Sequence, residues 1–257
     1  LADSGASLAS QPGKVPYVYS RKLTLADWLR EVHGFTGEDK DAPAFLDQLQ
    51  ARRDADSSLP KRILRNDYRA ASQLHLVNWL EDRYGYDGSE DALTVFNRLS
   101  PEQQRVYARG VYFAELKAGG REYNEAGNAR EGSYLRGRNA IAALFPTADA
   151  QARPIVYQGG ITMYGAAGVN TLFGGDIETL TPGGSQIFGV EGQAPVALPG
   201  VVPGLVTQGA GNIHLYALDD ILLGQSRIMT TFGGSILAWS AEGDINAGRG
   251  SKTTVVY

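Results

Sequence analysis

The spacing of apolar residues changes partway along the chain. In the first half it is helical. Leu25, Trp28, Leu29 and Val32 recur every three to four residues, the spacing that puts side chains on one face of an α-helix. Thr24 stands where it can cap that helix, with Asp27 three residues on, and Gly34 supplies a stop. A related pattern returns 51 residues later. Leu23-Thr24-Leu25-Ala26-Asp27-Trp28-Leu29 matches Leu74-His75-Leu76-Val77-Asn78-Trp79-Leu80, and His33-Gly34-Phe35 matches Tyr84-Gly85-Tyr86. These matches predict a helix–Gly turn–helix unit in tandem, with repeat units over about 23–73 and 74–110 and both Trp residues in a core. Ser100-Pro101-Glu102-Gln103 is a capping signal for a longer helix, expected to stop at Gly119-Gly120. A loop over 121–132 and a last helix over Ser133–Leu144 complete an all-helical module of about six helices, residues 21–145.

From Arg153 onward the period becomes two, as in Ile155-Val156-Tyr157, Ile161-Thr162-Met163-Tyr164 and Ile177-Glu178-Thr179-Leu180. A short phrase then recurs: Gly160-Ile161, Gly175-Asp176-Ile177, Gly211-Asn212-Ile213, Asp220-Ile221, Gly234-Ser235-Ile236 and Gly243-Asp244-Ile245. Short strands punctuated by turn residues cannot bury an apolar face singly, whereas stacked copies can. Residues 146–257 are therefore expected to form a parallel β-helix, with a Pro-rich excursion at 191–204 whose prolines cannot donate to a ladder. At about 20 residues per coil the segment would make roughly five coils. Residues 1–20, rich in Ser, Gly and Pro, read as a linker or edge strand. The fold class is α+β, multi-domain.

Composition sharpens the division. Of 32 glycines, 20 lie from Gln151 onward, whereas only Arg153, Arg227, Arg249 and Lys252 of the 24 basic residues do. The net charge of −4 and the lack of a basic half argue against nucleic acid as the main partner. No apolar run reaches the length of a transmembrane segment. The absence of cysteine rules out disulfides, thiolate metal sites and Cys nucleophiles.

Candidate chemistry is sparse. Gly248-Arg249-Gly250-Ser251-Lys252-Thr253 departs from a phosphate loop because Ser251 separates the last Gly from the Lys. His33, His75 and His214 lack metal-ligand spacing, so no catalytic, cofactor or metal residue is assigned. His33 and His75 are placed within helices of the repeats. Asp220 and Asp244 could align on one face at hydrolytic separation, but Asp directly before a strand Ile is the commoner mark of turn hydrogen bonding. The stretch containing Arg121, Tyr123, Arg130, Tyr134, Arg136 and Arg138 combines the residue types that make binding hot spots. It is the candidate partner-binding segment.

Tyr112-Phe113-Ala114-Glu115-Leu116, Ala118-Gly119-Gly120-Arg121-Glu122-Tyr123-Asn124, Ser133-Tyr134-Leu135-Arg136-Gly137-Arg138 and Ala142-Ala143-Leu144-Phe145-Pro146 resemble a region of filamentous-haemagglutinin-family exoproteins of Gram-negative bacteria. So does the ending Ile236-Leu237-Ala238-Trp239-Ser240 with Gly243-Asp244-Ile245-Asn246-Ala247-Gly248-Arg249-Gly250-Ser251-Lys252-Thr253-Thr254. The resemblance implies a large adhesin, secreted to the bacterial surface or beyond by two-partner secretion through an outer-membrane pore. Its shaft would be a right-handed parallel β-helix, and this chain an interior or distal piece. A host or bacterial cell-surface protein or glycan would be its partner, with no enzymatic activity and no cofactor. Two other readings stay open: a polysaccharide-binding or polysaccharide-degrading β-helix protein, and a secreted capture protein for haem or an iron carrier.

Overall fold

A computed structural model describes residues 22–57, 63–126, 131–149, 151–165, 167–189 and 202–248. It divides into two compact units, Leu1–Leu144 and Phe145–Tyr257. The first holds seven α-helices among the described residues; the second holds parallel strands in three sheets. The class is thus α+β. The expected linker at 1–20, and residues 191–201 of the expected Pro-rich excursion, lie outside the described residues.

In the helical unit, α1 (Leu25–His33) begins where expected, with the Thr24 side chain accepting from the Asp27 N–H. It ends on Gly34 at φ 65°, a left-handed conformation that costs glycine no Cβ clash. A 3₁₀ turn (Asp39–Asp41) leads into α2 (Ala42–Ala55). The helix α4 (Leu76–Tyr84) ends on Gly85 in the same conformation as Gly34, and α5 (Ala92–Arg98) follows it. Between these pairs lies α3 (Leu64–Leu74), which brings the helix count from the expected six to seven. Its spacing Leu64, Tyr68, Ala71 is helical, and all three pack on the core that α1 buries. That core also holds Leu23, Ala26, Trp28, Leu29, Phe35, Ala42 and Leu46. A second aromatic cluster forms around Trp79, with Phe96 and Tyr107 at 6.1 and 5.0 Å between ring centroids.

His75 corrects one expectation. It sits at φ −70°, ψ 127°, ending α3 and starting α4, so it is the hinge between two helices and belongs to neither.

The largest correction concerns α6, which runs Pro101–Asn124, straight through Gly119-Gly120. Its start is the expected capping box, with Ser100 and Gln103 exchanging hydrogen bonds. A Cβ added at Gly119 would sit 2.9 Å from the Gly137 nitrogen on α7 (Leu135–Leu144). Gly119 is therefore a site of close helix–helix approach. The intrinsic cost of glycine, about 1 kcal/mol against Ala, is outweighed by the packing it permits.

In the second unit, β1 (Ile161–Thr162), β4 (Gln186–Ile187), β7 (Ile221–Leu222) and β10 (Ile245–Asn246) form one sheet in that order. The strands β2 (Gly168–Thr171), β5 (Gly204–Thr207) and β8 (Arg227–Thr230) form a second. A third holds β3 (Ile177–Thr181), β6 (Ile213–Ala217) and β9 (Ile236–Ser240). All the pairings within these sheets are parallel. The registers stack Ile177, Ile213 and Ile236 in one column, and Ile161, Gln186, Ile221 and Ile245 in another. The isoleucines of the repeated phrase therefore divide between two sheets. Ile177, Phe188, Leu205, Ile213, Leu215, Ala217 and Ile221 form the buried core between them.

A strand returns to its own sheet after 25, 35 and then 24 residues, read from Ile161 to Gln186, Ile221 and Ile245. The expected 20 residues per pass, and with it five passes, is therefore too short and too many. Three sheets with a corner between each need more chain. Two further local expectations change. Ile155–Tyr157 forms no strand, and Val156 is 75% exposed. Gly204 belongs to β5 and not to a loop.

Candidate functional site

In the helical unit, α1, α3, α6 and α7 surround a groove of about 500 Å³. Trp28 and Val32 come from α1, Ala70, Ala71 and Leu74 from α3, and Ala114 and Ala118 from α6. Ile63, just before α3, lines it as well. Ala is small, so two helices can lie side by side there and still leave space. Val32 and Ile63 are exposed at 47% and 60%, an apolar surface open to a partner.

Polar groups frame this apolar floor. Arg121 on α6 contacts Asp67 on α3 at 3.2 Å. Arg136 on α7 makes a two-pronged contact with Glu115, Nε to Oε2 at 2.7 Å and Nη2 to Oε1 at 2.8 Å. Its remaining Nη1 donates to Glu122 at 2.6 Å. Glu115 is buried and Arg136 nearly so. Burial works to lower the Arg136 pKa, but the hydrogen bonds and charges of Glu115 and Glu122 outweigh it and hold the guanidinium above its usual range. The arrangement gives the buried Glu115 carboxylate its counter-charge and ties α7 to α6.

The candidate partner-binding residues thus occupy different situations. Arg121 and Arg136 line the groove, each with its guanidinium on a carboxylate. Tyr123 and Tyr134 stack on one another, centroids 4.1 Å apart and planes at 12°. Arg138 is exposed. Arg130 lies outside the described residues. Sequence reasoning missed Asp67, Glu115 and Glu122. The seven-residue spacing of Glu115 and Glu122, two turns along one helix face, was a usable signal. Nothing local pointed to Asp67.

Asp176 and Asp220 of the second unit serve the backbone. Asp220 Oδ1 accepts from the Asp244 N–H at 2.8 Å, and the Ser185 hydroxyl accepts from the Asp220 N–H at 3.3 Å. At another corner Asp176 Oδ1 accepts from the Asn212 N–H at 2.7 Å, and Asn212 Oδ1 from the Ser235 N–H at 2.9 Å. Asp220 and Asp244 do stand in adjacent rungs, but joined through a backbone donor. His214 Nδ1 lies 3.8 Å from Glu178 Oε1 on neighbouring rungs. His33 packs edge-on against Trp28 at 5.0 Å. Among the described residues no group of three His, Asp or Glu could hold a metal ion, and no helix is long and apolar enough to cross a membrane.

A family model described as "Filamentous haemagglutinin family outer membrane protein" matches residues 233–257. The described part of that match, 233–248, contains β9, β10 and the corner that joins them. No curated protein and no solved structure matches the chain.

Proposed function

We propose that this chain is a non-enzymatic segment of a large secreted bacterial adhesin. On this reading residues 146–257 are coils of a right-handed parallel β-helix shaft. Residues 21–145 are a helical interaction module built on a tandem unit and used for attachment to a cell or surface. The parent chain would leave through an outer-membrane pore by two-partner secretion and act in the medium or on the cell surface. The observation that carries the reading is the repeated register of three parallel sheets, whose last rung coincides with the family match. Three further features support it. One column is apolar from rung to rung, Ile177 on Ile213 on Ile236. Side chains cross-link successive corners. Equivalent corners reuse one bond, from the Thr171 hydroxyl to the Gly175 carbonyl and from Thr207 to that of Gly211.

The groove is the proposed attachment surface of the helical module, because it joins exposed apolar side chains to fixed charges. Val32→Glu and Ile63→Glu alter exposed rim residues, so the variants should keep the helical circular dichroism of the parent. Both are expected to lose attachment of the full chain to the epithelial or bacterial cells it binds. Unchanged attachment would remove the groove from the proposal. The polysaccharide-degrading alternative has its own readout: reducing-sugar release that disappears in Asp220→Asn.

A further inference from the structure

One corner of the second unit carries two bare aromatic rings. Phe173 is 98% exposed and Phe232 is 77% exposed, with Leu172 beside the first at 59%. They belong to the turn from the second sheet to the third, which holds five residues on every pass. It runs from Thr171 to Ile177, from Thr207 to Ile213 and from Thr230 to Ile236. Equal lengths keep the register through the corner. The Gln208 N–H bonds the Thr171 carbonyl, and the Thr231 N–H bonds the Thr207 carbonyl. Phe173, Gly209 and Phe232 are therefore equivalent positions on three successive rungs.

Rungs stand about 4.8 Å apart, so the two Phe positions are separated by roughly 9.6 Å with an empty rung between them. Gly209 has its own backbone reason for being Gly, since a Cβ there would lie 2.4 Å from the Gly174 nitrogen. Its effect on the surface is a gap one ring wide. A ring inserted at the middle rung would sit about 4.8 Å from each neighbour, inside the 4.5–7 Å range of aromatic pairs.

We propose that this corner is a self-association surface, and that the occupant of the gap is the same corner of a second copy of this chain. A comb whose teeth are two rungs apart is complementary to itself shifted by one rung. With the two copies antiparallel about a two-fold axis, four rings interleave in the order Phe173, second-copy Phe232, Phe232, second-copy Phe173. The contact is then isologous and closes at two copies. Four rings of about 150–250 Å² each fall short of the roughly 1,200–2,000 Å² of a stable interface. The association is accordingly weak and concentration-dependent for one segment. The inference rests on strand register and exposure, so its failure would leave the adhesin reading intact.

The cysteine-free sequence makes a direct test simple. Gln208→Cys in the full chain places the only thiol on the middle rung, near the two-fold axis. A short bis-maleimide should cross-link it into dimers at least about tenfold more than an exposed control, Thr36→Cys, in the helical unit. Adding Phe173→Ala and Phe232→Ala should return the yield to the control level with unchanged far-ultraviolet circular dichroism. A yield for Gln208→Cys no higher than the control, or dimers indifferent to both Phe substitutions, would overturn the proposal. Capture of an aromatic peptide or an oligosaccharide by a chain that stays monomeric would overturn it too, by giving the gap another occupant.

Discussion

Replacing Arg136 with Met would separate an internal role for this side chain from a binding one. Met keeps the unbranched apolar stem and removes the guanidinium. The loss is specific: two hydrogen bonds to Glu115 and one to Glu122. The Arg136, Glu115 and Glu122 side chains are only 17%, 4% and 18% exposed, so solvent screens these charges little. Glu115 would be left as a buried carboxylate without its cation, a situation that costs about 3–5 kcal/mol. For a helical unit of this size that corresponds to a fall in Tm of roughly 6–20 °C. Urea unfolding followed at the helical band should show the loss as a lower midpoint at constant slope. The double variant Arg136→Met with Glu115→Gln should recover at least half of it, because the uncompensated charge is then gone. A single-variant cost below about 1 kcal/mol, the size of an exposed pair, would refute the argument that this network fastens α7 to α6.

Three other outcomes follow from the geometry. Gly119→Ala should destabilise the helical unit by about 1–3 kcal/mol despite the better helix propensity of Ala, since its methyl meets the α7 backbone; calorimetry reads the sign directly. Gly211→Ala would put a Cβ 2.2 Å from the Gly175 carbonyl oxygen, so it should lower the thermal midpoint of the second unit more than Ala substitution at Gly233, whose φ of 90° is strained for Ala but whose added Cβ meets nothing within 4 Å. Asp149 accepts from the Arg153 and Gln151 backbone N–H groups and from the Arg153 side chain, the Arg153 backbone bond foremost, and its pKa is held below the ordinary 3.8. Because the folded value is the lower one, its contribution is present above about pH 4 and lost as pH falls through the folded pKa. The Gln151 and Arg153 amide resonances should therefore move with a midpoint below 3.8, and Asp149→Asn should abolish that movement.

Local signals in the sequence were informative wherever a short stretch decides the outcome. The Thr24 and Ser100 caps, the Gly34 stop and the burial of Trp28 and Trp79 all depend on a turn or two of chain. The isoleucine phrase likewise marks the start of a strand, and its Ile177, Ile213 and Ile221 are buried, whereas Ile236 and Ile245 are half-exposed. What the sequence hid depends on partners remote in the chain. Gly119-Gly120 reads as a helix end until Gly137 is known to lie against it. Arg136 reads as an exposed contact residue until Glu115, 21 positions earlier, is seen to take its charge. The groove is less legible still, since Val32, Ile63 and Ala118 share no motif and meet only through the packing of three helices. The length of each pass has no local signal either: the repeated phrase occurs in two sheets, so its spacing does not report the return of a strand to its own sheet.

The corner ladders have a direction. At both corners the side chain of the earlier rung accepts from the backbone of the later one: Asp176 from Asn212, Asn212 from Ser235, Ser185 from Asp220, and Asp220 from Asp244. The acceptor belongs in each case to the part of the chain made first. Away from these corners the sense is reversed, with Gln186 Nε2 and Thr181 Oγ1 donating to the Tyr216 carbonyl of the later rung, so the direction belongs to the corners. Removing one corner acceptor, as in Asp220→Ala, would strip a partner from the backbone of the rung after it, so the damage of a corner substitution falls downstream in the chain.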